Sequence, residues 1–263
     1  MQLLYTDESN MDPAGAEFFV YAGVAIPGNR AGELSAKIDQ LRRVFHYGPT
    51  DPLKFNTVQR PPHITPDQHR EIKREVTLAA GACEAKLLAS FVLHGVATTP
   101  EQARRFEINR VCYHFDCILR RADDYGLVLV DTFGDKTLND LLAEKFLVGL
   151  KGLPHSRIYR LDRILGFHLA SIGTSNFCSL VDIVVGALRF CANSIVDEAR
   201  RATALTLAQQ LSPMCLRDPS GEVSELSLFF SPKTVKVGAY RLRYQALREF
   251  FAAAGLNSAQ DPN

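Results

Sequence analysis

Residues 126–131 read Gly-Leu-Val-Leu-Val-Asp, an unbroken apolar run of strand length that ends on a carboxylate. Such a run fits a strand buried on both faces, the usual state of a strand in a sheet covered by helices. The rest of the chain is consistent with that frame. Residues 2–7 and 17–26 read as two strands joined by the turn formers of Ser9–Gly15, which suggests an antiparallel hairpin. Leu34, Ile38, Leu41 and Phe45 recur at helical spacing over 30–46. Prolines 49, 52, 61 and 62 keep 48–65 irregular, a short helix is expected over 67–80, and a β-like run over Lys86–Val96. A longer helix over 100–122 precedes the 126–131 strand, and a helix over 136–150, a strand over Ile164–Ile172 and a helix over 177–193 follow it. Antiparallel strands first and alternating strands and helices later indicate an α/β class with a mixed sheet flanked by helices. Residues 1–195 are expected to form the principal domain. Residues 196–263 read as a C-terminal α/β appendage packed on it: a helix, a polar turn at Asp218–Gly221, a strand near 225–230 and a helix over 240–254.

Three acids stand where chemistry is expected. On the first strand Leu3, Tyr5 and Asp7 share one face and Leu4, Thr6 and Glu8 the other, so Asp7 and Glu8 point apart if the strand extends that far. Asp131 ends the most apolar strand, at the carboxyl edge where α/β sheets place ligands. The plain alternative is that Asp131 only opens the following turn. In helix 177–193 apolar residues cover most of the circumference, leaving the seam Ser179, Asp182, Gly186 and Arg189. A carboxylate in so apolar a helix is costly unless it is paired or binds metal. Gly186, one turn on, costs about 1 kcal/mol of helix stability relative to Ala and leaves space beside Asp182. The plain alternative is a wet seam with Arg189 screening the charge. Clustered carboxylates ionise together only near strong positive charge, and hard oxygen donors suit Mg²⁺ or Mn²⁺. A pair of such ions activates water and stabilises the leaving oxygen of a phosphodiester.

The motif Tyr5-Thr-Asp7-Glu8-Ser9, followed by a strand over Phe18–Ile26, resembles the opening of a widespread uncharacterised bacterial and phage family that begins Asp-Glu-Ser-Gly and is regarded as RNase H-like. Lys54-Phe55 is similar to its Lys-Phe element, Asp131 to its strand-ending Asp, and Ser179-Leu-Val-Asp182-Ile-Val-Val-Gly186 to its Gln-x-Ala-Asp-x-x-x-Gly helix. The resemblance covers roughly 2–194 in the same order. Asn10 stands in place of the motif Gly, Pro52 where an acid often precedes the Lys, and Ser179 and Val181 in place of Gln and Ala. The resemblance implies an RNase H-like fold and a metal site of Asp7, Asp131 and Asp182 with Glu8 assisting; Lys54 either meets the scissile phosphate or orients a nucleophile, or is an ordinary surface lysine in a Pro-rich loop.

Net charge is +1, so no global field announces a nucleic-acid or membrane partner, although a local basic groove is compatible with it. The acid-free stretch 231–248 supplies Lys233, Lys236, Arg241, Arg243 and Arg248, which with Arg189 could follow a phosphate backbone or form an ordinary solvated face. Arg157, Arg160 and Arg163 form a smaller group open to the same two readings. Cys112-Tyr-His114-Phe-Asp-Cys117 lacks the spacing of a zinc site. The sequence has no zincin, nucleophile-elbow, phosphate-loop or dinucleotide motif. The acidic N-terminal segment is no signal peptide, no apolar stretch reaches the ~20 residues of a membrane span, and the six cysteines sit mostly in apolar runs. A cytoplasmic location without disulfides is therefore expected. Two functions fit: a Mg²⁺- or Mn²⁺-dependent nuclease, or a catalytically silent RNase H-like module that binds nucleic acid or a protein partner in a defence or mobile-element system. A homodimer is compatible with either.

Overall fold

The computed structural model describes residues 1–96, 99–131, 138–151 and 158–260. Six strands form one mixed sheet: β1 (Gln2–Ser9), β2 (Phe18–Pro27), β3 (Lys86–Leu93), β4 (Gly126–Asp131), β5 (Ile164–Ala170) and β6 (Leu228–Ser231), in the order β5-β4-β1-β2-β3-β6. β1 and β2 form the expected hairpin, in register from Gln2 opposite Pro27 to Ser9 opposite Val20, and β3 extends the meander. β4 returns to the other side of β1 and runs parallel to it, and β5 runs parallel to β4. β6 runs parallel to β3. The carboxyl ends of β1, β3, β4, β5 and β6 therefore all lie at one edge of the sheet.

Helices cover both faces. α1 (Gly28–Val44), α2 (Pro66–Ala82), α5 (Asn176–Asn193), α6 (Glu198–Leu211) and α7 (Gly238–Ala253) share one core with Tyr5, Val20, Ala22 and Phe91. α3 (Pro100–Arg121) and α4 (Leu138–Leu147) share the other with Leu4, Tyr21, Val128 and Val130. The helix starts follow local chemistry. Thr65 and Gln68 form a reciprocal capping box ahead of Pro66, and the Ser175 hydroxyl accepts the Phe177 N–H at 3.1 Å. α5 is long and apolar enough to cross a membrane, the one such helix among the described residues, and 72% of it is buried within the fold.

Some expectations need adjustment. β4 is not buried on both faces: Val128 and Val130 are fully buried under α3, whereas Leu127, Leu129 and Asp131 are only partly covered on the α5 side. α2 runs 17 residues rather than forming a short helix. The helix expected over 136–150 is described as Leu138–Leu147; residues 136–137 lie outside the described residues, as does Arg157. The C-terminal segment is more than an appendage, because β6 completes the sheet beside β3 and Phe230 stacks on Phe91 with centroids 5.7 Å apart.

A carboxylate site at the sheet edge

β1 and β4 are in parallel register to the pair Thr6–Val130, so Asp7 and Asp131 follow side by side on adjacent strands, about 4.8 Å apart in backbone spacing. Both face α5, because Tyr5 and Leu129, two residues earlier on each strand, pack into the α5-side core. Ala22 lies opposite Asp7 on β2. Asp182 is carried on α5 above them. Burial, with the charges of Asp131, Asp182 and Glu8, pushes the Asp7 carboxyl up to about 7 against the N–H of Glu8, which donates to Asp7 Oδ1 at 2.7 Å. Burial raises Asp182 as well, opposed by the Phe55 N–H and by the charges of Lys54, Arg189 and Lys73. The Cys178 thiol, one helical turn before Asp182, is pushed up by burial and by Asp131 and Asp7. Asp7 thus feels the charges of both other aspartates, whereas the charges set against Asp182 are those of cations.

The seam of α5 is covered, not wet. The loop after α1 folds over it, so that the Phe55 N–H donates to Asp182 Oδ2 at 2.6 Å across 127 residues of sequence. The Phe55 ring occupies the hollow at Gly186, where an added Cβ would lie only 2.2 Å from Phe55 Cγ. Space left by Gly186 therefore serves Phe55 rather than a ligand. Lys73 on α2 holds the other side of this segment: its Nζ donates to the Phe55 carbonyl at 2.9 Å and lies 4.4 Å from the ring centroid. Burial lowers the Lys73 ammonium to about 8. Lys54 is carried by the same latch to the neighbourhood of Asp182, where its positive charge favours the ionised carboxylate.

Glu8 does not join the group. β1 continues to Ser9, so the pleat turns Glu8 to the α3 side, where Arg104 approaches it at 3.5 Å. Asn10 takes the place of the motif Gly in the left-handed conformation at φ 62°, which Asn tolerates better than other non-glycine residues, and its amide donates to the Phe18 carbonyl at 2.9 Å.

The basic residues of 231–248 follow β6 and so share the carboxyl edge with the acids, three strand spacings from β1. Lys233 pairs with Glu225 at 2.7 Å, Arg243 pairs with Glu17, and Arg248 donates to the Gln260 carbonyl. Lys236 and Arg241 are exposed, with no ion-pair partner among the described residues. Arg189 lies 6.0 Å from the Phe55 ring, likewise without an ion-pair partner among the described residues. Arg160 caps the Leu147 carbonyl and Arg163 pairs with Asp123. The Cys112–Cys117 segment lies on α3. Its His114 is buried edge-on against Phe229 and held down to about 3 by burial, so it stays neutral.

Among the described residues no three His, Cys, Asp or Glu side chains stand close enough together to hold a metal ion. Two of the aspartate oxygens are turned to backbone N–H groups instead. The donor chemistry nevertheless fits a hard divalent cation. The oxygens are carboxylates on rigid elements, Asp7 is half-buried and feels two like charges, and Mg²⁺ needs only one or two carboxylates when water and phosphate complete its shell. A cavity of about 810 Å³ opens beside the site between α1, Pro49–Leu53 and the start of α5, and one of about 480 Å³ lies behind Phe55. Neither is lined by the aspartates. The chain matches no protein-family model and no curated protein.

Sequence reasoning missed Lys73 and the Phe55 main chain. The signal for Lys73 was present: it interrupts the apolar stripe His69, Ile72, Val76 and Ala80 of α2, where a lysine is out of place without a partner.

Proposed function

We propose that the chain is an RNase H-like, metal-dependent phosphodiesterase acting on nucleic acid. The observation that carries this reading is half-buried Asp7 beside Asp131 at the carboxyl edge, within reach of the charge of Asp182, its carboxyl raised to about 7 by burial and by those two charges. Such an acid needs a cation to ionise fully at neutral pH. The meander β1-β2-β3 with parallel β4 and β5 is the topology that sets a first-strand acid beside a fourth-strand acid, which supports the RNase H-like assignment. Asp7, Asp131 and Asp182 would hold Mg²⁺ or Mn²⁺, which supplies charge neutralisation and water activation when bound. Asp182 is oriented by the Phe55 N–H, and Lys54 beside it offers a cation to a phosphate oxygen. Lys236 and Arg241, at the same edge, offer charge to the flanking backbone.

The test is cleavage of end-labelled single- and double-stranded DNA and RNA in Mn²⁺ by wild type and Asp131→Asn. Mn²⁺-dependent cleavage is expected on at least one substrate, reduced by at least ~10²–10³-fold in the variant, the loss typical of removing one group that stabilises transition-state charge. Cleavage by both proteins alike would contradict the reading. A second reading, a silent module that binds nucleic acid or a protein partner, is favoured by the lack of three converging metal donors among the described residues. It predicts binding of a nucleic acid without cleavage in the same assay.

A further inference from the structure

The 480 Å³ cavity behind Phe55 is walled by α2, α5 and α6, and so is completed by the C-terminal segment. Its volume falls within the range of small-ligand sites. Its lining combines apolar surface from Phe55, Phe190 and Leu207 with the cations Lys73 and Arg189 at the Phe55 end, and α2 adds Arg70 and the paired Glu71 and Arg74. Gln210 on α6 also lines it, and its partly exposed side-chain amide offers both a donor and an acceptor. Aromatic walls, an amide and, at the Phe55 end, the Arg189 guanidinium with the Lys73 ammonium held on the Phe55 carbonyl match a ligand with a flat heteroaromatic body and an anionic end. The cations select an anion, the rings select an aromatic body, and the amide selects one whose edge both donates and accepts.

We propose that this cavity binds a 5′-mononucleotide, with the base between the α5 and α6 walls and the phosphate at Arg189 and Lys73. The assignment of the ligand as a nucleotide rests on the phosphodiesterase reading, since a terminal or released nucleotide is the unit such an enzyme meets. Phe55 then has two faces of function: its N–H holds Asp182 and its ring closes the nucleotide cavity, so occupancy and carboxylate position are joined through one residue.

The experiment is calorimetric titration of adenosine monophosphate into the full-length protein in EDTA, where no step depends on metal. Thr206, exposed on α6 at the cavity wall, is replaced by Trp to fill the opening, and Arg189→Gln removes the cation. Both variants are checked for an unchanged melt. One saturable site is expected, weakened at least tenfold by Thr206→Trp and at least fivefold by Arg189→Gln, with inorganic phosphate and benzoate each binding at least tenfold more weakly. No saturation by 10 mM nucleotide (about 2.7 kcal/mol in binding free energy) would overturn the proposal. So would equal affinity for phosphate or benzoate, or affinity unchanged in Thr206→Trp. Asp131→Asn separates this from the catalytic reading: it should abolish cleavage and leave nucleotide affinity within twofold, whereas failure of nucleotide binding with cleavage intact would sink the cavity assignment alone.

Discussion

Gly186 and Phe55 are in contact so close that the smallest side chain added to one displaces the other. In a solvated helix Gly186→Ala would stabilise by about 1 kcal/mol. Here the new Cβ meets the Phe55 ring at 2.2 Å, so the expected result is destabilisation of about 1–3 kcal/mol, measured by denaturant unfolding. Asp7 makes a second prediction, in the pH dependence of stability. Its carboxyl titrates near 7 when folded against an ordinary 3.8. Between those values the folded state keeps a proton that the unfolded state releases, so stability falls as pH rises from about 4 to about 7 and stays lower above. Asp7→Asn removes that penalty. Its melting temperature should exceed that of wild type by on the order of 5 °C at pH 8 without metal, and the gain should vanish near pH 4. An equal gain at both pH values would show that Asp7 titrates normally. The three aspartates were legible in the sequence because each interrupts an apolar pattern: a strand end at 7 and 131, and a helix seam at 182. The pleat that turns Glu8 to the opposite face was legible in the same strand, and the Glu8 carboxylate reaches Asp7 by its charge alone.

Among the elements, strand and helix periods were legible nearly everywhere because the apolar faces are sharply patterned. Their partners were not. The 48–65 segment has no period, and nothing local reveals that its residues 54 and 55 close over α5. That contact spans 127 residues and depends on α2 standing behind it, so it could only be read from the fold. Lys73 is the part of α2 that matters. Lys73→Met keeps the length and apolar stem but removes the donor to the Phe55 carbonyl. A loss of about 1–3 kcal/mol is expected, the cost of one buried acceptor left without its hydrogen bond. Metal-dependent cleavage should fall with it while substrate binding at the β6–α7 edge persists. A variant as stable as wild type would show that the latch is held by packing alone.

For the whole molecule, the mixed α/β class was legible from the alternation of periods, and the sheet order was not, because strand neighbours are set by long-range pairing. β6 is the clearest case: it read as part of an appendage and is a full member of the sheet. Leu228 and Phe230 are completely buried, as are Phe250 and Phe251 of α7; Phe251 packs on Phe91 and Phe230, and Phe250 on Phe251. Truncation after residue 195 should therefore abolish cooperative unfolding rather than release a stable domain, as a thermal melt followed by circular dichroism would report. Binding of a divalent cation at the carboxylate edge is what the proposed activity requires of the whole molecule. The most direct measurement is the melting temperature of wild type and Asp182→Asn with and without millimolar Mn²⁺. At a concentration ~100 times the dissociation constant the wild type should gain about 2.7 kcal/mol, seen as a rise of several degrees, and the variant should gain little or none. No rise in wild type, or the same rise in both, would contradict it.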